Sequence, residues 1–256
     1  DPYTFVVKLD PDGGHLWSVA LPDLRIEGKH VLAVDSQGAV VLGGTVFEDP
    51  TPDVPLDSAP EVTLVKLDAD GNEIWTRRMK GNVPTDVGYG GSFSRAVESV
   101  AAGPDGSVVI GGNFRGETDF GGVTLACEPQ ESDFQPTDYR PDVFVARYDA
   151  DGELVFARRF GQDDYDRTVG LDVLPGGDTV VVFNGAPDAG EPSDGYGVVL
   201  MRLSPTGDTV YSKLLQGSFI GGFPPSLTAT EEGGFVLGGL GTLSLGAMGM
   251  VEPAFA

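Results

Sequence analysis

One stretch, FVVKLDPDGGHLWSVAL at Phe5 to Leu21, returns three more times in the same phase. Val62 to Met79 reads VTLVKLDADGNEIWTRRM, Val143 to Phe160 reads VFVARYDADGELVFARRF, and Val198 to Leu214 reads VVLMRLSPTGDTVYSKL. Each copy is a short apolar run ending in a basic residue, namely Lys8, Lys66, Arg147 or Arg202. A turn follows and closes on Gly13, Gly71, Gly152 or Gly207. Four residues beyond that glycine stands an aromatic: Trp17, Trp75, Phe156 and Tyr211. A chain that keeps this phase four times is a repeat protein, and each copy reads as a β-hairpin.

Between these copies lies a second repeated hairpin, at His30 to Thr45, Val97 to Asn113, Thr168 to Asn184 and Ser226 to Leu240. Its runs are Val-rich, about five residues long, and joined by SQG, PDG, PGGD and EEGG turns. Helical periodicity appears nowhere over a useful length. The 38 glycines and 19 prolines exceed what helices tolerate and belong to turns.

One unit is therefore four short strands, a and b from the second hairpin, then c and d from the first. A four-stranded antiparallel unit repeated at this interval predicts an all-β fold, a β-propeller of about four blades. Residues 1–256 read as a single domain with repeats opening near 5, 62, 143 and 198. The chain opens on c–d and ends on a–b, so the opening pair would complete the final one if the ends met. LGAMGMVEP at 245–253 reads as one more strand c, which favours a section of a larger ring, cut from a longer chain. DPYTFVVKLD has no basic leader region and runs into a strand at once, so it is not read as a signal peptide. The strand-d aromatics Trp17, Trp75, Phe156 and Tyr211 are expected at equivalent buried positions between blades.

FVVKLDPDG, LVKLDADGN and FVARYDADG, each followed by an aromatic strand, together with VLAVDSQGAVVLGG, resemble the bacterial β-propeller repeats called SBBP. NFRGETDFGG followed by DVFVARYDADGELVFARRFG is especially similar to forms in large secreted or surface proteins. The fourth copy departs from the pattern, with LSPTGD in place of the two aspartates. The resemblance implies a propeller working outside the cytoplasm, extracellular or at the bacterial cell surface, in a binding or scaffold role. It supplies no catalytic residue. DGNEIW is also similar to the turn that precedes a packing tryptophan in quinone-dependent dehydrogenase propellers, with a turn one residue shorter, and more distantly to the Asp-box of sialidases, whose hydroxyl no copy has in place; both likenesses are confined to the hairpin.

A formal charge of −23, from 39 acids against 16 bases, argues against nucleic acid or an anionic membrane as partner. No apolar run is long enough to span a bilayer. The paired aspartates Asp68/Asp70 and Asp149/Asp151, with Asp10/Asp12, invite a calcium reading. Their loops lack the third oxygen ligand and the distant Glu of an EF-hand, so the expected role is turn capping and no cofactor is assigned. His15 and His30 are placed neither as a metal pair nor as the base of a triad. Asp163, Asp164 and Asp166 form an acidic connection.

Three irregular connections, at 48–60, 115–140 and 184–196, lie between strands b and c and are expected on one face, with GETDFGGVTL adding a short strand segment. They carry Phe47, Phe134 and Tyr139 as candidate anchors for a protein or glycan. Cys127, the only cysteine, is expected as a partly exposed free thiol, and the 115–140 insertion as dispensable to the fold. The function expected is non-enzymatic binding or structural assembly. The alternative is a propeller hydrolase acting on polysaccharide through strand-a carboxylates such as Asp35, Glu98 and Asp172 converging on the axis.

Overall fold

The computed structural model describes residues 4–22, 26–46, 61–82, 95–127, 130–132, 135–138, 141–161, 167–185, 197–219, 225–239 and 241–244. Among them the fold is all-β. The chain opens with a two-stranded sheet of β1 (Thr4–Leu9) and β2 (His15–Leu21). A four-stranded antiparallel sheet follows, formed in order by β3 (Ile26–Val34), β4 (Val40–Val46), β5 (Glu61–Leu67) and β6 (Glu73–Met79). After the short β7 (Gly81–Asn82) come β8 (Arg95–Ala102) and β9 (Val108–Phe114), then four short strands in the insertion. These are β10 (Glu117–Asp119), β11 (Thr124–Ala126), β12 (Gln130–Ser132) and β13 (Gln135–Asp138). With β14 (Asp142–Tyr148) and β15 (Leu154–Phe160), β8 and β9 make the second four-stranded sheet, in the order β8-β9-β14-β15.

The third sheet runs β16 (Arg167–Val173), β17 (Thr179–Gly185), β18 (Gly197–Leu203) and β19 (Thr209–Phe219). A last hairpin of β20 (Ser226–Ala229) and β21 (Phe235–Gly238) forms its own two-stranded sheet, and β22 (Gly241–Ser244) adds to β19. Among the described residues β1–β2 and β20–β21 stay separate sheets, so the pairing that would join the opening hairpin to the final one is not formed.

The hairpins follow from their turns. Eight of them share one hydrogen-bond pattern, in which the glycine amide donates to the carbonyl three residues back and the first turn residue's amide donates to the carbonyl four residues on. All eight glycines take φ between 77° and 91°, as a type I turn closed by a left-handed residue requires. Asp10, Asp35, Asp68 and Asp149 tighten this loop through a side-chain oxygen that accepts from the amides two and four residues on.

Each c–d hairpin also carries a bulge. Lys8 pairs with Trp17 while Leu9 pairs with His15, leaving Leu16 as the extra residue; Ile74, Val155 and Val210 occupy the same place in the other copies. Side chains alternate along a strand, so this extra residue turns the aromatic onto the face it would otherwise miss. It also explains why these four apolar side chains are 44–53% exposed.

The core lies between sheets. Every residue of β5 and β14 is buried, as is every residue of β18 but Arg202, as for a strand covered on both faces. Leu64 and Trp75 cluster with Val97, Ile110, Phe144 and Tyr148 of the second sheet. Val109 and Phe156 cluster in turn with Leu171, Val181 and Met201 of the third. Of the four strand-d aromatics, Trp75 and Phe156 are buried, while Trp17 and Tyr211 are half-buried.

The 115–140 insertion corrects two expectations. GETDFGGVTL forms the β10–β11 hairpin, and β10 also pairs with β7, reaching back to the preceding sheet. Phe120 is 2% exposed, its ring 4.9 Å from that of Phe144 and 6.5 Å from that of Phe114. Cys127 is buried, not partly exposed, and its thiol donates to the Phe114 carbonyl at 3.2 Å. The first half of the insertion therefore contributes Phe120 and Cys127 to the core. Phe114, Phe120 and Cys127 read as scattered residues in a polar stretch, and only the fold-back of β10–β11 collects them.

Candidate functional site

The first strands of successive units, β3, β8 and β16, touch in sequence, and β20 touches β16. Together they line a cavity of about 420 Å³, with Glu98, Ser99, Asp172, Ser226 and Thr228 among its walls. Ser99 links two of the strands, its hydroxyl lying 3.4 Å from the Leu171 carbonyl and accepting from the Leu171 amide at 3.3 Å. Asp172 accepts from the Val173 amide at 2.8 Å and from the Ala229 amide of β20 at 2.7 Å. The amide nitrogen of Asn113 stands 3.5 Å from Glu98.

Of the three strand-a carboxylates singled out in the sequence, Glu98 and Asp172 share this cavity. Asp35 does not line it and caps its own turn. Two carboxylates on one cavity suit glycoside chemistry only if one activates water and the other protonates the leaving group. Both oxygens of Asp172 are instead held by backbone amides, the work of a structural clamp.

A second cavity, of about 390 Å³, opens between β2 and the β5–β6 pair, walled by Val19, Leu21, Val65, Leu67, Glu73 and Arg78 among others. Thr63 lines it and is 1% exposed, and its hydroxyl has no hydrogen-bond partner. The ladder places Thr63 where Phe144 stands in the next copy, three residues before the basic residue. The smaller side chain leaves space there.

The calcium candidates fall on the turns. Asp68 Oδ1 accepts from the amides of Asp70 and Asn72, and the Asn72 side chain donates to Oδ2 at 2.9 Å. The bond from the Asn72 side chain, then that from its amide, hold the Asp68 carboxyl below its ordinary range. Asp149 accepts in the same way from Asp151 and Glu153, and Asp70 and Asp151 are exposed. Among the described residues no group of three or more His, Cys, Asp or Glu side chains could hold a metal ion.

Where the repeat residues converge is the joint between one unit and the next. Trp17 donates its indole N–H to the Ala69 carbonyl at 2.8 Å, and Trp75 to that of Ala150 at 2.9 Å. The basic residues that close strand c reach the same way: Lys8 donates to the Ala69 carbonyl at 2.9 Å and Lys66 to that of Gly106 at 2.6 Å. Arg147, 2% exposed, donates to the Gly177 carbonyl at 2.5 Å and to Asp105 at 3.0 Å. Arg77 and Arg158, two places after the aromatic, donate to the carbonyls of Gly152 and Gly207 at 2.7 and 2.6 Å. The sequence marks all of these residues by recurrence, but recurrence does not say what a side chain reaches.

The remaining candidates are not brought together. Phe47, Phe134 and Tyr139 lie outside the described residues, as do Asp163, Asp164 and Asp166. His15 is exposed at the start of β2; His30 lies in β3, its side chain outside the described set. Burial first, and then the Asp142 charge, push the Cys127 thiol well above its ordinary range and disfavour its thiolate. Comparison with protein-family models and with curated proteins finds no match for the chain.

Proposed function

We propose that the chain is a β-propeller module, a non-enzymatic binding or structural element working outside the bacterial cytoplasm or at the cell surface. Its partner is a protein or glycan recognised on the face that carries the b–c insertions. One observation carries the reading: of the two carboxylates on the strand-a cavity, Asp172 has both its oxygens occupied by backbone amides. Asp10, Asp35, Asp68 and Asp149 close turns, and Asp172 clamps β20. A carboxylate in such a clamp is not poised to trade a proton with a substrate. The charge of −23 supports a partner other than nucleic acid, and among the described residues no helix is long and apolar enough to cross a membrane.

The propeller reading rests on three antiparallel sheets packed in chain order, two of four strands and one of five, their first strands around one cavity. The polysaccharide-hydrolase alternative rests on Glu98 and Asp172 lining that same cavity. The purified chain should be titrated against bacterial surface polysaccharides by calorimetry, with release of new reducing ends followed in parallel. Saturable binding without new reducing ends is expected. Reducing ends that appear with wild type and vanish in Glu98→Gln would replace this reading with the hydrolase.

A further inference from the structure

The β5–β6 and β14–β15 ladders place equivalent residues on the face that looks back to the preceding unit. Thr63 stands opposite Arg78, as Phe144 stands opposite Arg159. By the same register Val65 and Leu67 correspond to Ala146 and Tyr148. The two faces are covered in different ways.

Behind β14–β15 the space between sheets is filled by a peptide segment, the β10–β11 hairpin. Phe120 brings its ring to 4.9 Å from that of Phe144. The Phe120 carbonyl accepts from the Tyr148 hydroxyl at 2.9 Å, and the Ala126 carbonyl accepts from Arg159 at 2.7 Å. What fills this joint is thus an aromatic ring with main-chain carbonyls beside it, one of them held by the strand-d arginine.

Behind β5–β6 the same place is the cavity of about 390 Å³, with apolar walls from Val19, Leu21, Val65 and Leu67. Where the next unit has a phenyl ring, Thr63 has a hydroxyl without a hydrogen-bond partner, on a residue only 1% exposed. Buried hydroxyls are ordinarily paired, so this one points to an acceptor received in the cavity. Arg78 also lines it, with a side chain 45% exposed and 3.9 Å from Glu61. That distance is an ion pair but too long for a hydrogen bond, and it leaves guanidinium N–H groups for a carbonyl.

We propose that this cavity binds a peptide of a partner protein. An aromatic side chain enters between Val19, Leu21 and Val65, and the main-chain carbonyls beside it accept from Arg78 and Thr63. The chemistry is that of the Phe120 joint, supplied from another molecule. The volume falls within the range of ligand pockets, about 300–1,000 Å³. Two donors facing each other across the ladder suit a neutral carbonyl, and the charge of −23 disfavours an anion. The inference rests on the binding reading above and narrows its partner from protein or glycan to protein.

The test is saturation-transfer NMR of the purified chain with the neutral peptide acetyl-Gly-Phe-Gly-amide, compared with acetyl-Gly-Ala-Gly-amide. The aromatic peptide is expected to bind saturably, about tenfold or more tighter than the alanine one. Thr63→Phe supplies the ring from within, as Phe144 does, and should abolish binding without lowering the urea midpoint. Arg78→Gln, at a half-exposed site, should fold like wild type and weaken the aromatic peptide about three- to tenfold. If Thr63→Phe fails to fold, Thr63→Val carries its part: losing the unpartnered hydroxyl should weaken binding yet raise the urea midpoint.

No saturable binding of the aromatic peptide, or equal binding of both peptides, overturns the inference. So does binding that survives Thr63→Phe unchanged, or that is indifferent to both Arg78→Gln and Thr63→Val. A chain that binds bacterial polysaccharide but neither peptide ends the inference and leaves the binding reading. A chain that takes the aromatic peptide in this cavity and also releases reducing ends does the reverse.

Discussion

Trp75 donates its indole N–H to the carbonyl of Ala150 at 2.9 Å, and its ring covers Gly152 in the same turn. The two partners are seventy-five residues apart in sequence, and their contact locks the first four-stranded sheet to the second. Trp75→Ala empties that joint and removes the bond to the Ala150 carbonyl, so it should cost about 3–5 kcal/mol in urea unfolding. Trp75 is 6% exposed and Trp17 is half-buried. Acrylamide should therefore quench a Trp75→Phe protein, which reports Trp17, more readily than a Trp17→Phe protein, which reports Trp75. Equal quenching would show that the joint is not closed in solution.

Gly13 and Gly152 separate backbone strain from crowding. Both sit at positive φ, 83° and 80°, so Ala at either site bears the left-handed penalty of about 1–2 kcal/mol. Only at Gly152 would the new methyl meet an indole, at 2.9 Å, which adds about 1–3 kcal/mol of overpacking. Gly152→Ala should thus unfold at clearly lower urea than Gly13→Ala. Matching midpoints would mean that the ring does not lie on the turn.

The packed insertion makes two measurements change sign relative to expectation from the sequence. Cys127 should resist thiol reagents in native protein and react at once in denaturant, since burial both covers the sulfur and disfavours its thiolate. Phe120→Ala should cost about 3–5 kcal/mol. Replacing 115–140 by a tight turn should unfold the chain, because it also strips the Tyr148 hydroxyl of its bond to the Phe120 carbonyl at 2.9 Å. Rapid native labelling of Cys127, or a shortened chain of undiminished stability, would return the insertion to the surface.

Asp105 gives the pH dependence a definite sign. Partial burial pushes its carboxyl upward, but bonds from the Ser107 hydroxyl and amide, with the charge of Arg147, outweigh this and leave it below its ordinary value. A depressed folded pKa means stability present above the unfolded value, near about 3.9, and lost as pH falls through the folded one. At neutral pH Asp105→Asn should cost about 0.5–1 kcal/mol: Arg147 is 3% exposed at its side chain and loses a charged acceptor, but Asp105 itself is 61% exposed and solvent screens the pair. That difference should shrink toward zero as wild type is titrated into acid. A difference that stays constant across the acid range would detach Asp105 from Arg147.

The hairpins were legible because their causes are local. An Asp that accepts from amides two and four residues on, and a glycine at positive φ, are decided within five residues, and they recur wherever the motif recurs. Aromatic and basic residues also stand opposite each other in all four ladders, as their common phase implies. The second hairpin's strands, and the absence of helix among the described residues, follow from the same short-range pattern.

The tertiary structure alone decided which faces those strands cover. It sends Lys66 to Gly106 and Trp75 to Ala150, puts Glu98 and Asp172 on one cavity without Asp35, and folds Phe120 and Cys127 into the core. It also leaves Gly13 open where Gly71, Gly152 and Gly207 are each covered by a ring. A turn closes on its own neighbours, so its residues carry their own instructions. A contact between sheets depends on how the intervening strands stack, and no residue at either end of it records that.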